Sequence, residues 1–175
     1  MTLWVTRSKI RVNRAATAWL VRRFLDPAAK FRFVDPRDVA LVQQAEAGIG
    51  FDAPGARYPH KDSAGRCSFE ALAQECRPGD PALRELARIV HWADFPDELE
   101  AGRITRARPL GAFDRISCAP ADQIPGQDDA MLAAIGLRAI SFGFPLVATD
   151  DHETVERSAF LYDALYATLS ERQTR

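Results

Sequence analysis

The chain has three histidines, and two of them lie close to an acidic residue. His91 precedes Asp94 by three residues, so on a helix both side chains can reach one point. His152 directly follows Asp151, and His60 lies in a turn-rich segment. Imidazole and carboxylate groups together suit Zn, Mn, Fe or Ni. We therefore predict a divalent metal site with the candidate ligands His60, His91, His152, Asp94, Glu70 and Asp151.

The spacing of these residues leaves a second interpretation open. No pair of histidines has a compact zinc spacing such as that of the H-E-x-x-H motif, so each can also be a structural or surface residue. Cys67, Cys76 and Cys118 form neither a C-x-x-C pair nor an even set, which excludes a disulfide scaffold and a zinc ribbon. Cys67 precedes a predicted helix, whose dipole would lower the pKa of its thiol.

Arginine is the other residue type that could do chemistry here. Only three of the 23 basic residues are lysines, and residues 1–37 carry a local charge of +7 against −8 in the remainder. Arg14 and Arg22 interrupt an apolar first helix, and a buried guanidinium needs an oxyanion or a carboxylate. Ligands favour the carboxyl ends of parallel strands. We predict an oxyanion site formed by Arg7, Arg14 and Arg22. Internal ion pairs to Asp26, Asp35 or the acidic second half are the alternative.

Length and composition are typical of one soluble domain. The 175 residues are 47% hydrophobic and 27% charged, with a net charge of −1, which provides ample apolar side chain for a core. No apolar run approaches the roughly 18–20 residues of a membrane span, and the start lacks the layout of a signal peptide. We expect a cytoplasmic single domain over residues 1–175 with no membrane or nucleic-acid partner. A homo-oligomer stays open.

The predicted elements place these residues in an α+β fold. The N-terminal half has the order β-α-β-α-β, which favours a small, mostly parallel sheet, and the C-terminal half is all helical. Strands are predicted at 3–6, 31–34 and 49–52, with helices at 13–26 and 36–48. Further helices are predicted at 69–76, 80–94, 128–141 and 151–170, with a solvated acidic turn after Asp94 and a long loop over 101–127.

Helix caps and helix faces give the orientation of the candidate residues. Asp80 and Asp150 are predicted to cap the helices that follow them. Asp94 falls on the apolar face of its helix, so its carboxylate needs a partner such as an arginine, a histidine or a metal ion. His152 falls on the apolar stripe of the last helix and should point inward.

Several short strings, taken together and in order, resemble a known family. They lie at Trp4–Arg7, Val12–Arg14, Ala18–Asp26, Phe33–Pro36, Phe51–Gly55, His60 with Cys67–Glu70, Asp80–Leu83, Ile89–Asp94, Asp150–Glu153 and Leu161–Tyr166. In this pattern, which covers residues 4–94 and 150–168, the chain resembles the chromate-resistance family, the ChrB C-terminal domain.

The resemblance implies a bacterial protein that is encoded with a chromate-efflux system and takes part in a stress response to chromate. It implies no reaction. Longer relatives carry an additional N-terminal segment linked to regulation, whereas this chain begins at the domain, so we expect no DNA-binding role. Thr17 stands where the family's first helix is expected to carry a cysteine, which disfavours a thiol redox mechanism there. Residues 101–149 fall outside the pattern.

The residues and the resemblance together lead to four hypotheses. The first is a small chromate-resistance protein that binds a metal ion, an oxyanion (chromate, sulfate or phosphate), or both, in a His/Asp/Arg-lined site. The second is a metal-dependent hydrolase or redox enzyme with Glu70 or Asp94 as general base. The third is a regulatory interaction module without a small ligand. A DNA-binding regulator is the fourth, supported only by the basic N-terminal segment.

Overall fold

Three parallel strands form a sheet in the N-terminal half of the structure, a computed structural model that describes residues 1–101 and 129–173. The strands are β1 (Leu3–Arg7), β2 (Lys30–Val34) and β3 (Ile49–Gly50), in the order β2-β1-β3. Since β1 and β3 are parallel neighbours, their carboxyl ends lie at the same edge of the sheet. The predicted α+β class with a small parallel sheet is confirmed.

Seven α-helices are present in the described part of the chain. They are α1 (Val12–Leu20), α2 (Val39–Ala45), α3 (Ser68–Cys76), α4 (Pro81–Asp94), α5 (Pro96–Ala101), α6 (Asp129–Val147) and α7 (Asp151–Arg172). The prediction of a solvated turn after Asp94 is wrong, because Pro96 and the acidic residues behind it are good helix starters. Apart from residue 101, the predicted loop over 101–127 lies outside the described residues.

Helix α1 lies at the centre of the helical layer. Eight of its nine residues are buried, and Arg14 is the exception. Trp19 packs against Phe69 of α3 and Tyr162 of α7, and a π-helical turn, Val21–Leu25, continues the helix. Because α1 is held on several sides, its first turn is a rigid support for the polar side chains that it carries.

The two predicted helix caps are confirmed. Asp80 Oδ1 accepts a hydrogen bond from the backbone N–H of Leu83 at 2.9 Å, at the start of α4. Asp150 Oδ1 accepts from the backbone N–H of Glu153 at 2.8 Å, at the start of α7. The cap at Asp80 fixes where α4 begins, and the last turn of this helix carries Asp94.

Helix α6 corrects the expectation that no segment approaches the length of a membrane span. It is 19 residues long, and its most apolar 18 residues have a mean hydropathy of 1.8. By length and composition, it is the one helix in the described ranges that could cross a membrane. It packs on α4 and α7, while Phe142 and Leu146 remain exposed. The core helix of a soluble protein can pass the same test, so the predicted cytoplasmic location stays a prediction.

Candidate functional site

Asp52 is the buried carboxylate around which the candidate site is built. It follows β3 by two residues, at the edge of the sheet where Arg7 ends β1. Only 1% of its side chain is exposed. Its φ of +53° lies in the left-handed region, which aspartate adopts more readily than most residues. The backbone N–H of Asp52 donates to Tyr58 O at 2.8 Å and thereby holds this conformation.

Four side chains bind the two oxygens of Asp52. Oδ2 accepts hydrogen bonds from Arg14 Nη1 at 2.8 Å and from Arg7 Nη2 at 3.0 Å. Oδ1 accepts from Asn13 Nδ2 at 2.8 Å and lies 2.6 Å from His60 Nδ1. Burial alone would raise the pKa of Asp52, but the hydrogen bond from His60 and the two arginine charges outweigh it and lower the pKa. Asp52 is therefore an ionised carboxylate, and both of its oxygens have hydrogen-bond partners.

Asn13 connects this carboxylate to helix α3. Its Oδ1 accepts hydrogen bonds from the Phe69 backbone N–H and from Ser68 Oγ, each at 3.1 Å. Because the amide oxygen is used in this way, the amide nitrogen is the atom that faces Asp52. The starts of α1 and α3 and the segment after β3 are thus joined at one point.

Asp94, the last residue of α4, lies on the other side of His60. Asp94 Oδ2 is 3.6 Å from His60 Nδ1, but this oxygen is buried and accepts no hydrogen bond within the described residues. Burial, and after it the charge of Asp52, raises the pKa of Asp94. The hydrogen bond to Asp52 raises the pKa of His60. One of the two carboxylates is therefore satisfied and ionised, while the other is unsatisfied and resists ionisation.

A cavity of about 280 Å³ opens beside these two carboxylates. Besides His60, its charged lining consists of Arg7, Arg11, Arg14, Arg138, Asp52 and Asp94. Four guanidinium groups thus face two carboxylates, which leaves an excess of positive charge before any proton on His60 is counted.

Two of the four arginines hold no carboxylate. The guanidinium groups of Arg11 and Arg138 lie over the ring of Phe142, at 4.4 and 5.0 Å from its centroid. Arg138 Nη1 also donates to Ala93 O at 2.9 Å. Neither arginine pairs with an acidic side chain in residues 1–101 and 129–173. As far as the described residues go, both charges remain available to a ligand in the cavity.

A larger groove of about 770 Å³ runs along α3 and α4, and two of its arginines are engaged in local ion pairs. Arg66 Nη2 pairs with Asp62 at 2.8 Å, and Arg88 Nη2 pairs with Glu85 at 2.5 Å. The buried polar side-chain atoms that have no partner within the described ranges lie elsewhere, and two of them, Arg14 Nε and Asp94 Oδ2, belong to residues of the smaller cavity. The smaller cavity is therefore the better candidate site.

A second group of potential ligands consists of Cys67, Glu70 and His91. One atom from each lies within 4.8 Å of the others. Glu70 Oε2 accepts from the Cys67 backbone N–H at 2.8 Å and lies 2.5 Å from His91 Nδ1. His91 Nε2 is 3.0 Å from Glu98 Oε2. The hydrogen bond to Glu70 raises the pKa of His91.

The thiol of Cys67 does not behave as its position at a helix start suggested. Burial, followed by the charge of Glu70, raises the pKa of Cys67 well above its usual range. Any lowering by the helix dipole is therefore outweighed, because the thiol has lost its solvent and faces a carboxylate.

Comparison with known proteins supports the resemblance found in the sequence. Residues 4–108 match the family model of ChrB, C-terminal domain. The chain belongs to this family. Protein ChrB of Cupriavidus metallidurans is 34% identical over 134 residues, which make up 76% of this chain and 37% of that protein. This ChrB-family chain thus spans well under half of that relative. No solved structure matches it.

The residues predicted as ligands divide into separate places in this ChrB-family domain. His60 and Asp94 lie at the cavity, whereas His91 and Glu70 lie in the second group. The ring of Phe95 contacts both imidazoles. The distance between ring centroids is 4.8 Å for His60 and 4.9 Å for His91. The expectation that His91 and Asp94 reach one point is therefore not met.

The candidates at the start of α7 join neither group. Asp151 accepts hydrogen bonds from the backbone N–H groups of Lys9 and Ile10, at 2.9 and 2.7 Å. His152 is exposed, with its ring 4.8 Å from that of Phe33. Successive helix residues lie about 100° apart, so once Asp151 faces inward, His152 cannot. The expected inward orientation of His152 is wrong.

Among the predicted oxyanion ligands, Arg7 and Arg14 reach the cavity and Arg22 does not. The guanidinium of Arg22 lies 5.1 Å from the centroid of the Phe31 ring. The internal partner of Arg7 and Arg14 is Asp52, which was not among the carboxylates named from the sequence. Its position directly after a strand that neighbours β1 is the signal that could have identified it.

Sequence reasoning also missed Asn13, Arg11 and Arg138 as site residues. Asn13 and Arg11 adjoin residues that had been singled out, so their place at the start of α1 could have identified them. Arg138 had no such signal, because only the packing of α6 on α4 places it at the cavity.

Proposed function

We propose that this domain binds a tetrahedral oxyanion of the chromate, sulfate and phosphate class in the cavity beside Asp52. The observation that carries the proposal is the convergence of four arginines on one cavity where the described part of the chain places two carboxylates. Arginine binds oxyanions through forked, charge-assisted hydrogen bonds.

The arginines divide into two roles. Arg7 and Arg14 bind Asp52, and this pairing fixes their orientation before a ligand arrives. Arg11 and Arg138, which pair with no carboxylate of the described residues, would supply their charge to the anion. The separation explains why the domain can carry a buried aspartate in an anion site, since Asp52 orders part of the positive lining without neutralising all of it.

The size of the cavity is compatible with this ligand class. A water molecule occupies about 30 Å³ in the liquid, and the cavity measures about 280 Å³. A small oxyanion with a few water molecules fits that space. Family membership adds chromate as the anion to test first, because the sequence resemblance associates the family with chromate resistance.

Anion titration of the purified protein tests the proposal. Isothermal titration with chromate, phosphate and sulfate, in a buffer free of all three, should show binding of at least one anion near one per chain. Arg138→Gln should weaken it roughly 10- to 100-fold, because a hydrogen bond to a charged group contributes about 1.5–3 kcal/mol. Arg22→Gln, outside the cavity, is the matched control. Absence of binding, or equal affinity in Arg138→Gln, would contradict the proposal.

A divalent metal ion at Cys67, Glu70 and His91 is the second candidate function. The mixed donor set within 4.8 Å favours it, since thiolate, imidazole and carboxylate are the ligands of zinc. The competing group of Asp52, His60 and Asp94 is a poorer cation site, because two guanidinium groups already bind Asp52. Binding at Cys67 would release the proton from its thiol.

Elemental analysis of protein purified without a histidine tag, before and after chelation, tests the metal site. A bound metal should appear near one equivalent, and its removal should lower the melting temperature. His91→Ala should abolish metal retention, whereas His152→Ala, at an exposed histidine, should not. Full occupancy in His91→Ala would remove this group from consideration.

A further inference from the structure

Two buried polar atoms of the cavity residues lack hydrogen-bond partners among the described residues, and their chemistry is opposite. Arg14 Nε is a donor, and Asp94 Oδ2 is an acceptor. A buried polar group without a partner is destabilising. Because both atoms are buried, a ligand reaches them only when neighbouring side chains shift, and it must then accept one hydrogen bond and donate another.

A protonated oxyanion has both capacities. One of its oxygens can accept from Arg14 Nε, and its hydroxyl group can donate to Asp94. A fully deprotonated anion such as sulfate offers only acceptors, and its oxygens would face the lone pairs of Asp94. The arginines attract both kinds of anion, so Asp94 is the group that separates them.

We propose that Asp94 makes the cavity selective for oxyanions that carry a proton at neutral pH, such as hydrogen phosphate, hydrogen arsenate and hydrogen chromate, over sulfate. The inference rests on the proposed function and names the ligand class of that same cavity. It assigns Asp94 the role of a specificity-determining acceptor.

The groups around Asp94 do not remove the need for a proton. Asp52 and Arg14 face it with opposite charges, and the more distant Arg7 adds a second positive charge. His60 Nδ1 is 3.6 Å from Asp94 Oδ2, but its shorter contact, 2.6 Å, is with Asp52. The burial of Asp94 raises its pKa, so protonating it costs less free energy than protonating an exposed carboxylate, but the proton still has to come from solvent. Asp94 and the bound anion can form a hydrogen bond only if one of them carries a proton. Hydrogen phosphate brings this proton with it, whereas with sulfate the proton must be taken up from solvent.

Size and charge offer no alternative means of selection in this cavity. Chromate and sulfate are tetrahedral dianions of similar size, and about 280 Å³ excludes neither. Protonation distinguishes them, because chromate takes up a proton near neutral pH and sulfate does not. A site built to bind a hydroxyl group rejects an analogue that lacks it far more strongly than a shape-based pocket does.

The test compares inorganic phosphate with sulfate by isothermal titration at pH 7. The wild-type protein should bind phosphate roughly 10- to 100-fold more tightly than sulfate, as expected for one unsatisfied buried acceptor. In Asp94→Asn the side chain can donate to sulfate, so the ratio should fall at least tenfold. Asp97→Asn, an exposed acid on the next helix, should keep the wild-type ratio.

The outcomes separate this inference from the function on which it rests. Equal affinity of the wild-type protein for the two anions would overturn the selection by Asp94 and leave oxyanion binding intact. Binding of neither anion, nor of chromate, would overturn the proposed function and this inference with it. Because the wild-type comparison needs no variant, it decides the question even if Asp94→Asn fails to fold.

Discussion

The two histidine–carboxylate groups of this domain use the same residue types but have opposite surroundings. His60 lies between Asp52 and Asp94, where two guanidinium groups already bind Asp52. His91 lies between Glu70 and Glu98, beside a buried thiol. The first group faces a positively charged cavity, whereas the second has an excess of carboxylates.

This difference teaches that the neighbours of a histidine decide which ligand its site can attract. An imidazole and a carboxylate alone are compatible with a metal ion, an anion or an internal ion pair. The arginines make the first group favourable for anions, while the carboxylates and the thiol, with no arginine among them, favour a cation at the second. The substitutions below test each half of the comparison.

The largest effect is expected from removing the charge of Asp52. Asp52→Asn keeps a residue that tolerates positive φ, but it leaves Arg14 and Arg7 without their anionic partner. Breaking a buried ion pair on one side is destabilising by about 3–5 kcal/mol. Urea unfolding should show a loss of this size in the free energy of unfolding.

Asp35→Asn is the matched control for Asp52→Asn. Asp35 pairs with Arg37 on the surface, where both side chains are largely exposed. Such a pair contributes about 0–1 kcal/mol, so this variant should unfold almost as the wild type does. Equal losses in the two variants would show that Asp52 is not the electrostatic centre of the first group.

The second group should be visible in the pH dependence of stability. The pKa of His91 is raised in the folded state by Glu70 and then by Glu98. Its stabilising contribution is therefore complete below the unfolded value of about 6.5, and it is lost as pH rises through the folded pKa. Metal-free wild-type protein should lose free energy of unfolding over that interval.

The variant His91→Gln isolates this contribution. It should remove the share of the pH dependence that His91 supplies, while His60, whose pKa is raised by Asp52, retains its own. Imidazole resonances in an NMR titration would assign the two pKa values directly. A His91 pKa at or below about 6.5 would contradict the ion pairing seen in the structure.

The sequence allowed more of the fold to be predicted than of the site. Strand composition and helix caps are local signals, so the parallel sheet and the starts of α4 and α7 could be predicted. The grouping of ligands depends on contacts between distant residues. His91 and Asp94 have the correct spacing on α4, yet they lie in different groups because Phe95 and the ends of neighbouring helices decide which residues each one meets.

The arginines also show that contacts between distant residues limit what the sequence can predict. Arg7 and Arg14 could be predicted as anion-facing residues, because each is a charge within or beside an apolar element. Their actual partner, Asp52, is only 1% exposed; its position after a strand indicates a place at the sheet edge, but not its burial or its pairing with these two arginines. Arg138 lies beyond residues 102–128 in the sequence, so its arrival at the cavity depends wholly on tertiary packing.

The smallest effect is expected at the exposed edge of the second group, where Lys61 pairs with Glu98. Lys61→Gln should change the free energy of unfolding by less than about 1 kcal/mol, because both side chains are partly solvated. The same variant should raise the pKa of His91, since Glu98 then loses a competing positive charge. Lys30→Gln, at an exposed lysine on β2, is the control. A lowered His91 pKa in Lys61→Gln would show that Glu98 does not carry the charge that distinguishes this group from the arginine-lined cavity.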